Sequence, residues 1–152
     1  MDGPTFRLGR RRFLVLAGVG VGAAGAVACG PGPGVQPASV GDVPAGNVTS
    51  LPVGSLRAVN GEPVCIGRDS GGVYAMTLTC THAGCDIGVN GDVSPSGLLC
   101  GCHGSRFDAN GNVLSGPAPS PLDHFAVTVD GSGNLPIHGG QVVAAGQRLT
   151  IR

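Results

Sequence analysis

Two short stretches constrain this chain more than any other feature: C-T-H-A-G-C at residues 80–85 and C-G-C-H-G-S at residues 100–105. They hold four of the six cysteines and two of the four histidines. Cys80-x-His82 and Cys100-x-x-His103 have the form of metal-ligand pairs, and thiolate with imidazole suits zinc, copper or iron. A strand leading into each stretch would hold the two pairs as facing clamps. Cys85 and Cys102 remain within the same loops. A metal site, a disulfide, a thiol catalyst or a combination of these is open at this point.

The rest of the chain narrows the fold. Glycine and proline exceed a quarter of the 152 residues, yet no simple repeat runs through them, and alternating Val/Ile/Leu segments recur from about residue 56. Short strands joined by Gly- and Pro-rich turns follow from that pattern. Strands are expected at 57–59, 63–68 and 73–79, with a hairpin turn at Asp69-Ser-Gly-Gly72. Segments 86–89 and 97–100 are expected to flank a polar turn. An Asn110-Gly111 turn precedes a short strand, and residues 124–137 read as a hairpin turning at 130–134. Residues 142–152 supply the last strands. No segment has a helical period, so the expectation is an all-β, antiparallel domain.

Net charge is zero, lysine is absent, and four of the nine arginines lie in the first twelve positions. Beyond them there is no basic stripe, one Tyr and no Trp, which argues against nucleic-acid binding. Those first arginines precede an uncharged Ala/Gly-rich run from Phe13 to Ala28. The run is short of the roughly 20 apolar residues of a spanning helix and reads as a signal-peptide core. Arg10-Arg11-Arg12-Phe13-Leu14 resembles the twin-arginine export motif, whose route carries folded proteins. Ala26-Val27-Ala28-Cys29 resembles a lipoprotein processing site with Cys29 as the lipidated residue; cleavage after Ala28 and an uncleaved signal anchor are the alternatives. The expected organisation is a signal at 1–29, a flexible Gly/Pro-rich tether at 30–46, and a compact domain at 47–152. The expected location is the outer face of a bacterial cytoplasmic membrane, or the periplasm.

The two Cys/His loops resemble the signature of the Rieske [2Fe–2S] proteins, C-x-H-x-G-C … C-P-C-H-G-S. The resemblance implies a Rieske-like antiparallel β-sandwich with a two-loop cluster-binding subdomain. Carried over by position, Cys80 and Cys100 would hold one iron of a single [2Fe–2S] cluster, and His82 and His103 the other. Cys85 and Cys102 would form a disulfide between the loops, a bond that persists in the oxidising compartment an export signal leads to. Gly116-Pro117-Ala118-Pro119 resembles the family's Pro-rich third loop. Ser105 stands where a hydroxyl bonds a bridging sulfide and raises the potential. Phe107 stands where high-potential members carry a Tyr, which implies a lower potential. Gly101 replaces the usual Pro, at an expected cost in loop rigidity. Ala83 replaces the Leu of quinol-oxidising members of bc complexes.

The function implied is one-electron transfer coupled to histidine protonation. One form is a subunit of a quinol-oxidising bc-type complex that passes electrons to a cytochrome. Another is a stand-alone carrier, or the small subunit of a molybdenum oxidoreductase such as arsenite oxidase. A zinc-stabilised binding module is the alternative of another class, since two Cys and two His are an ordinary zinc set. Zinc modules, however, space their pairs C-x-x-C and H-x₃₋₅-H and need no further cysteine pair. No C-x-x-C opens a helix, which argues against a thiol–disulfide catalyst. Cys65 is expected as a buried free thiol, His124 and His138 as surface or turn residues, Asp86 and Asp108 as turn caps, and Arg106 as a solvated charge.

Overall fold

The computed structural model describes residues 40–151. The expectations placed on Arg10, Arg11, Cys29, the signal segment and most of the tether lie outside the described residues. Among the described residues, ten strands form two antiparallel sheets. β1 (Asp42–Asn47), β2 (Ser55–Ala58), β3 (Val64–Asp69), β4 (Gly72–Thr77), β9 (His124–Val127) and β10 (Asn134–Val143) make a six-stranded sheet in the order β1-β10-β9-β4-β3-β2. The smaller sheet, β5-β6-β7-β8, joins β5 (Gly91–Ser94), β6 (Gly97–Cys100), β7 (Arg106–Phe107) and β8 (Val113–Ser115). The all-β antiparallel expectation holds.

The hairpin of β3 and β4 shows how local sequence sets the large sheet. Six registered pairs run from Val64↔Thr77 to Asp69↔Gly72. At the turn, Asp69 Oδ1 accepts the Gly71 and Gly72 amides at 2.8 and 3.1 Å, the Asx geometry that an Asp-x-Gly-Gly sequence favours. Every residue of β4 is buried, consistent with its apolar run from Val73 to Met76. The smaller sheet and the loops around it are an insertion between β4 and β9, which lie side by side.

Several expectations need correction, among them residues 142–152: of those described, Val142 and Val143 end β10 and Leu149 makes an isolated bridge to Val73, with no further strand. β1 covers Asp42–Asn47, so part of the segment read as tether is a strand; Val43 and Ala45 alternate inward from a Gly/Pro background, and two buried residues are too short a pattern to register. Residues 86–89 do not form a strand: Asp86 caps α1 (Ile87–Asn90) by accepting the Gly88 amide at 2.8 Å, and the strand is β5, inside the expected turn. His124 is buried, packed beneath the Tyr74 ring at a 6.1 Å centroid distance. Its Nε2 lies 3.0 Å from the Asn110 carbonyl oxygen, which fixes it as the donor, while its buried Nδ1 has no partner among the described residues.

Two apolar clusters divide the interior. One, around Val43, Leu51, Val64, Ile66, Phe125, Leu135 and Ile137, fills one face of the large sheet. The other, Tyr74, Met76, Leu78, Cys80, Ile87, Leu98, Cys100, Phe107 and Leu122 among its members, joins the large sheet to the insertion. Phe107 is 1% exposed, and truncating such a ring costs about 3–5 kcal/mol. The C-terminal segment closes the far side: Leu149 pairs with Val73, and the Arg148 guanidinium sits 4.1 Å from the Tyr74 ring centroid while Nε donates to Asp69 Oδ2 at 2.7 Å. Burial raises the Asp69 carboxyl, but Arg148 and the two turn amides outweigh it and hold the group below its ordinary value. Burial under this cover pushes the Tyr74 phenol up to about 12.

Burial also holds His124 below the ordinary imidazole value, against the raising influence of the Asn110 carbonyl. The unfolded chain therefore binds a proton, near pH 6.5 and below, that the folded chain refuses. Stability should be complete above that pH and fall as pH drops, with a limiting slope of about 1.4 kcal/mol per pH unit. Denaturant unfolding from pH 8 to pH 5 should show a flatter profile for His124→Gln than for the parent chain. Parallel profiles would remove His124 as the cause.

Candidate metal centre

The large sheet delivers Cys80 three residues beyond the end of β4, and the small sheet delivers Cys100 as the last residue of β6. The two loops then fold alike. In the first, the Cys80 amide donates to the Cys85 carbonyl at 2.8 Å and the Gly84 amide to the Cys80 carbonyl at 2.9 Å. In the second, Cys100 donates to Ser105 at 2.8 Å and Gly104 to Cys100 at 2.9 Å. Gly84 and Gly104 both close their turns in the left-handed region, at φ 74° and 78°, where a side chain is strained.

Three pairs cross between the loops, each joining like with like. Cys80 and Cys100 are buried at 2% and 1% exposure with their thiols side by side. His82 and His103 are exposed, with ring centroids 4.6 Å apart and planes at 83°. Cys85 and Cys102 form a disulfide. It closes 17 residues, a constraint on the unfolded chain of about 3 kcal/mol. The Cys100 sulfur lies within 4.8 Å of both disulfide sulfurs. Those two are consumed by their mutual bond, so Cys80 and Cys100 are the thiols left to hold a metal. Burial raises the Cys100 thiol, and the neighbouring Cys80 adds to it, against the backbone amides of Cys102 and His103, which lower it. Two cysteines buried side by side are soft donors that a metal cation would hold as thiolates. Two thiols and two imidazoles, presented as matched pairs, fit a [2Fe–2S] cluster with His₂ in place of Cys₂ on one iron.

The third loop is laid directly on the second. Gly116, at φ 95°, leaves no room for a side chain: a Cβ there would lie 2.6 Å from the Ser105 Cα. Ser105 is fully buried and its Oγ accepts the Ala118 amide at 3.1 Å, which leaves its hydroxyl proton free to donate elsewhere. Thr81 ties the first loop to the third by donating to the Ser120 carbonyl at 2.7 Å. Pro117 is exposed beside this contact. Phe107 lies in the apolar cluster below and has no hydroxyl to offer a ligand sulfur.

Sequence reasoning missed how the second loop is braced. The Gly101 amide donates to the Asn90 carbonyl at 2.7 Å, and a Cβ at 101 would lie 2.3 Å from that oxygen. The residue expected to loosen the loop instead fastens it to the end of α1. No sequence signal marks Asn90, because its backbone and not its side chain is used. Outside the loops, Asp86 caps α1, Asp108 accepts the Asn110 and Asn112 amides, and Arg106 is exposed, as expected. Cys65 is buried and free, its thiol pushed up to about 12 by burial. His138 is half-buried, bridging Asp42 at 3.1 Å and Thr128 at 3.0 Å.

The brace at Gly101 can be tested directly. Gly101→Pro, which removes the donor and places ring atoms against Asn90, should destabilise the fold by about 1–3 kcal/mol in thermal unfolding. Gly140→Ala, where a Cβ meets no atom within 4 Å, should change it by less than about 0.5 kcal/mol.

Comparison with known proteins supplies the context for this geometry. The family described as the Rieske [2Fe-2S] domain matches residues 40–126. The cytochrome b6-f complex iron-sulfur subunit of Synechococcus sp. (strain JA-2-3B'a(2-13)) is 42% identical over 77 residues, covering 49% of this chain and 44% of the relative. The subunit of the same description from Chlorobaculum tepidum is 32% identical over 96 residues, covering 63% of this chain and 48% of the relative. The chain thus spans about half the length of the curated relatives it matches. Among solved structures, the plasma membrane Rieske protein of Synechocystis PCC 6803 aligns with a TM-score of 0.48 and 32% identity, covering 62% of this chain and 97% of that one.

Proposed function

This chain belongs to the Rieske [2Fe–2S] family, and we propose that it is an exported electron-transfer protein, with Cys80 and Cys100 as ligands of one iron and His82 and His103 as ligands of the other. The observation that carries the reading is the like-with-like pairing across the loops, thiol with thiol and imidazole with imidazole, beside a disulfide that holds the loops together. When bound, a cluster of this ligand type supplies a one-electron centre at roughly −150 to +300 mV, against about −400 mV for all-thiolate plant-type ferredoxins.

The residues of the chain divide the work. Cys80 and Cys100, buried with Leu78, Leu98 and Phe107, keep water from the thiolate side. Ser105 offers a fixed hydroxyl, its oxygen already held by the Ala118 amide. His82 and His103 face solvent, so the ring nitrogen that each leaves unligated can take or release a proton. With a cluster held between the pairs, the negative charge added on its reduction would favour a proton on these rings and so would couple electron to proton. Residues 82–84, 101–104 and 116–120 contain no Asp, Glu, Lys or Arg. An uncharged face around two imidazoles suits a neutral hydrogen-bonding donor such as a hydroquinone.

Two settings follow. The likeness to cytochrome b6-f iron-sulfur subunits favours a quinol-oxidising complex with a cytochrome as acceptor. Ala83 and Phe107 favour a stand-alone carrier, or the small subunit of another oxidoreductase such as a molybdenum enzyme. Among the described residues no helix is long and apolar enough to cross a membrane. Attachment to the outer face of the membrane falls on this reading to residues 1–29, through lipid on Cys29 or an uncleaved signal.

Voltammetry of the purified protein across a pH series tests the reading. The expected outcome is one reversible one-electron wave whose midpoint falls as pH rises, because protons are taken up on reduction. Ser105→Ala should lower the midpoint and Phe107→Tyr should raise it. A metal-loaded protein with no wave would overturn the cluster and leave zinc in the same four ligands.

A further inference from the structure

The exposed face of the large sheet, where β1, β10 and β9 lie side by side, carries a second constellation of reactive groups, none of them in the Cys/His loops. Asp42 stands opposite His138 in the β1–β10 register, and its Oδ2 lies 3.1 Å from His138 Nδ1. Thr128, the residue after β9, places its Oγ1 3.0 Å from His138 Nε2. A carboxylate only accepts, so Nδ1 carries the hydrogen of the neutral imidazole. Nε2 is then a lone pair, and the Thr128 hydroxyl donates to it. Hydroxyl, imidazole and carboxylate joined in that order are a nucleophile, its base and the group that orients the base. We propose that Thr128, His138 and Asp42 form an acyl-transfer site that cleaves uncharged esters of short acyl chains, with Thr128 taking the acyl group. This site does not depend on the ligand reading of the Cys/His loops.

The fold supplies both the alignment and a place for the acyl chain. Residues two apart on a strand share a face, so Pro44 and Pro136, themselves a registered pair, form the row next to Asp42 and His138. Val43, Ala45 and Ile137 are buried on the other face. Thr128 lies beside Pro136, its amide donating to the Pro136 carbonyl at 3.2 Å. From the prolines the surface opens into a hollow of about 300 Å³ lined by Pro44, Gly46, Asp130, Asn134, Leu135 and Pro136. A short acyl chain lodged there leaves its carbonyl within reach of the Thr128 hydroxyl. Asp130 lines the hollow, Asp42 stands at its end and no cationic side chain lines it, which turns away anionic esters. The His138 side chain is 22% exposed and that of Asp42 72%, so the imidazole is sheltered while the carboxylate is solvated and serves mainly to orient it. In the reaction, Thr128 Oγ1 bonds to the ester carbonyl carbon as His138 Nε2 takes its proton. The bond to the leaving oxygen breaks, and His138 returns the proton to that oxygen. Water then attacks the acyl-threonine, its proton passes through His138 to Thr128 Oγ1, and the carboxylic acid departs. Water is the co-reactant, and nothing is oxidised or reduced.

Hydrolysis of p-nitrophenyl acetate by the full-length protein, followed as release of p-nitrophenolate, tests the site. The exposed rings of His82 and His103 give every variant the same background. Above that background His138→Gln should lose about 10²-fold, the lower end of what a positioned base contributes. Thr128→Ala should fall to the same level, Thr128→Val, which keeps the shape without the hydroxyl, should match it, and Thr128→Ser should keep the activity. Asp42→Asn should lose part of it. Parent protein quenched in acid during turnover should carry an acetyl group on Thr128, located by fragmentation in a mass spectrometer. The anionic p-nitrophenyl succinate should be cleaved more slowly than the acetate. Each variant is assayed below its own thermal unfolding transition, so that loss of fold is not scored as loss of catalysis. Thr128→Ala and Thr128→Val proteins as active as the parent, or an acetyl group found only on residues other than Thr128, would overturn the proposal.

Discussion

Loops built from glycine, alanine, threonine and cysteine bury too little apolar surface to hold a shape of their own. What holds these two is a set of cross-connections: the Cys85–Cys102 bond between them, the Gly101 amide on the end of α1, Thr81 and Ser105 on the third loop, and the left-handed glycines that close each turn. Each connection is modest alone. Together they fix the directions of Cys80, Cys100, His82 and His103, and the chemistry depends on those four directions.

The loops in turn depend on a rigid base. The apolar cluster of Met76, Leu78, Leu98 and Phe107 sits under the two thiols and belongs to both sheets. A core that extends up to the ligand side chains transmits little motion to them, because interiors pack at near-crystalline density. On the opposite side the two imidazoles stand in solvent. The site thus has a dry, apolar half and a half open to water.

Much of this was legible in the sequence, for definite reasons. The β3–β4 hairpin has a long apolar run and an Asp-x-Gly-Gly turn, and β9 and β10 flank a turn with two glycines; period and punctuation agree in both. The ligand loops carry a spacing dense enough in rare residues to stand out from any background. What escaped were features made by backbone or by distance. β1 presents two inward residues in a Gly/Pro context. α1 is a single turn set by one Asp cap, and four residues cannot show a helical period. His124 became interior through Tyr74 and Arg148, fifty and twenty-four positions away. Gly101 looked like a loss of stiffness because the carbonyl that stiffens it comes from another element.

The placement of the insertion has a wider consequence. Because β4 and β9 are neighbours in the large sheet, residues 78–123 leave and re-enter at almost the same place. The head that carries the two Cys/His loops is therefore a cassette on a platform. Substitutions in the platform can reshape how the protein meets its surroundings while the head keeps its ligands, and the head can be retuned without redesigning the platform.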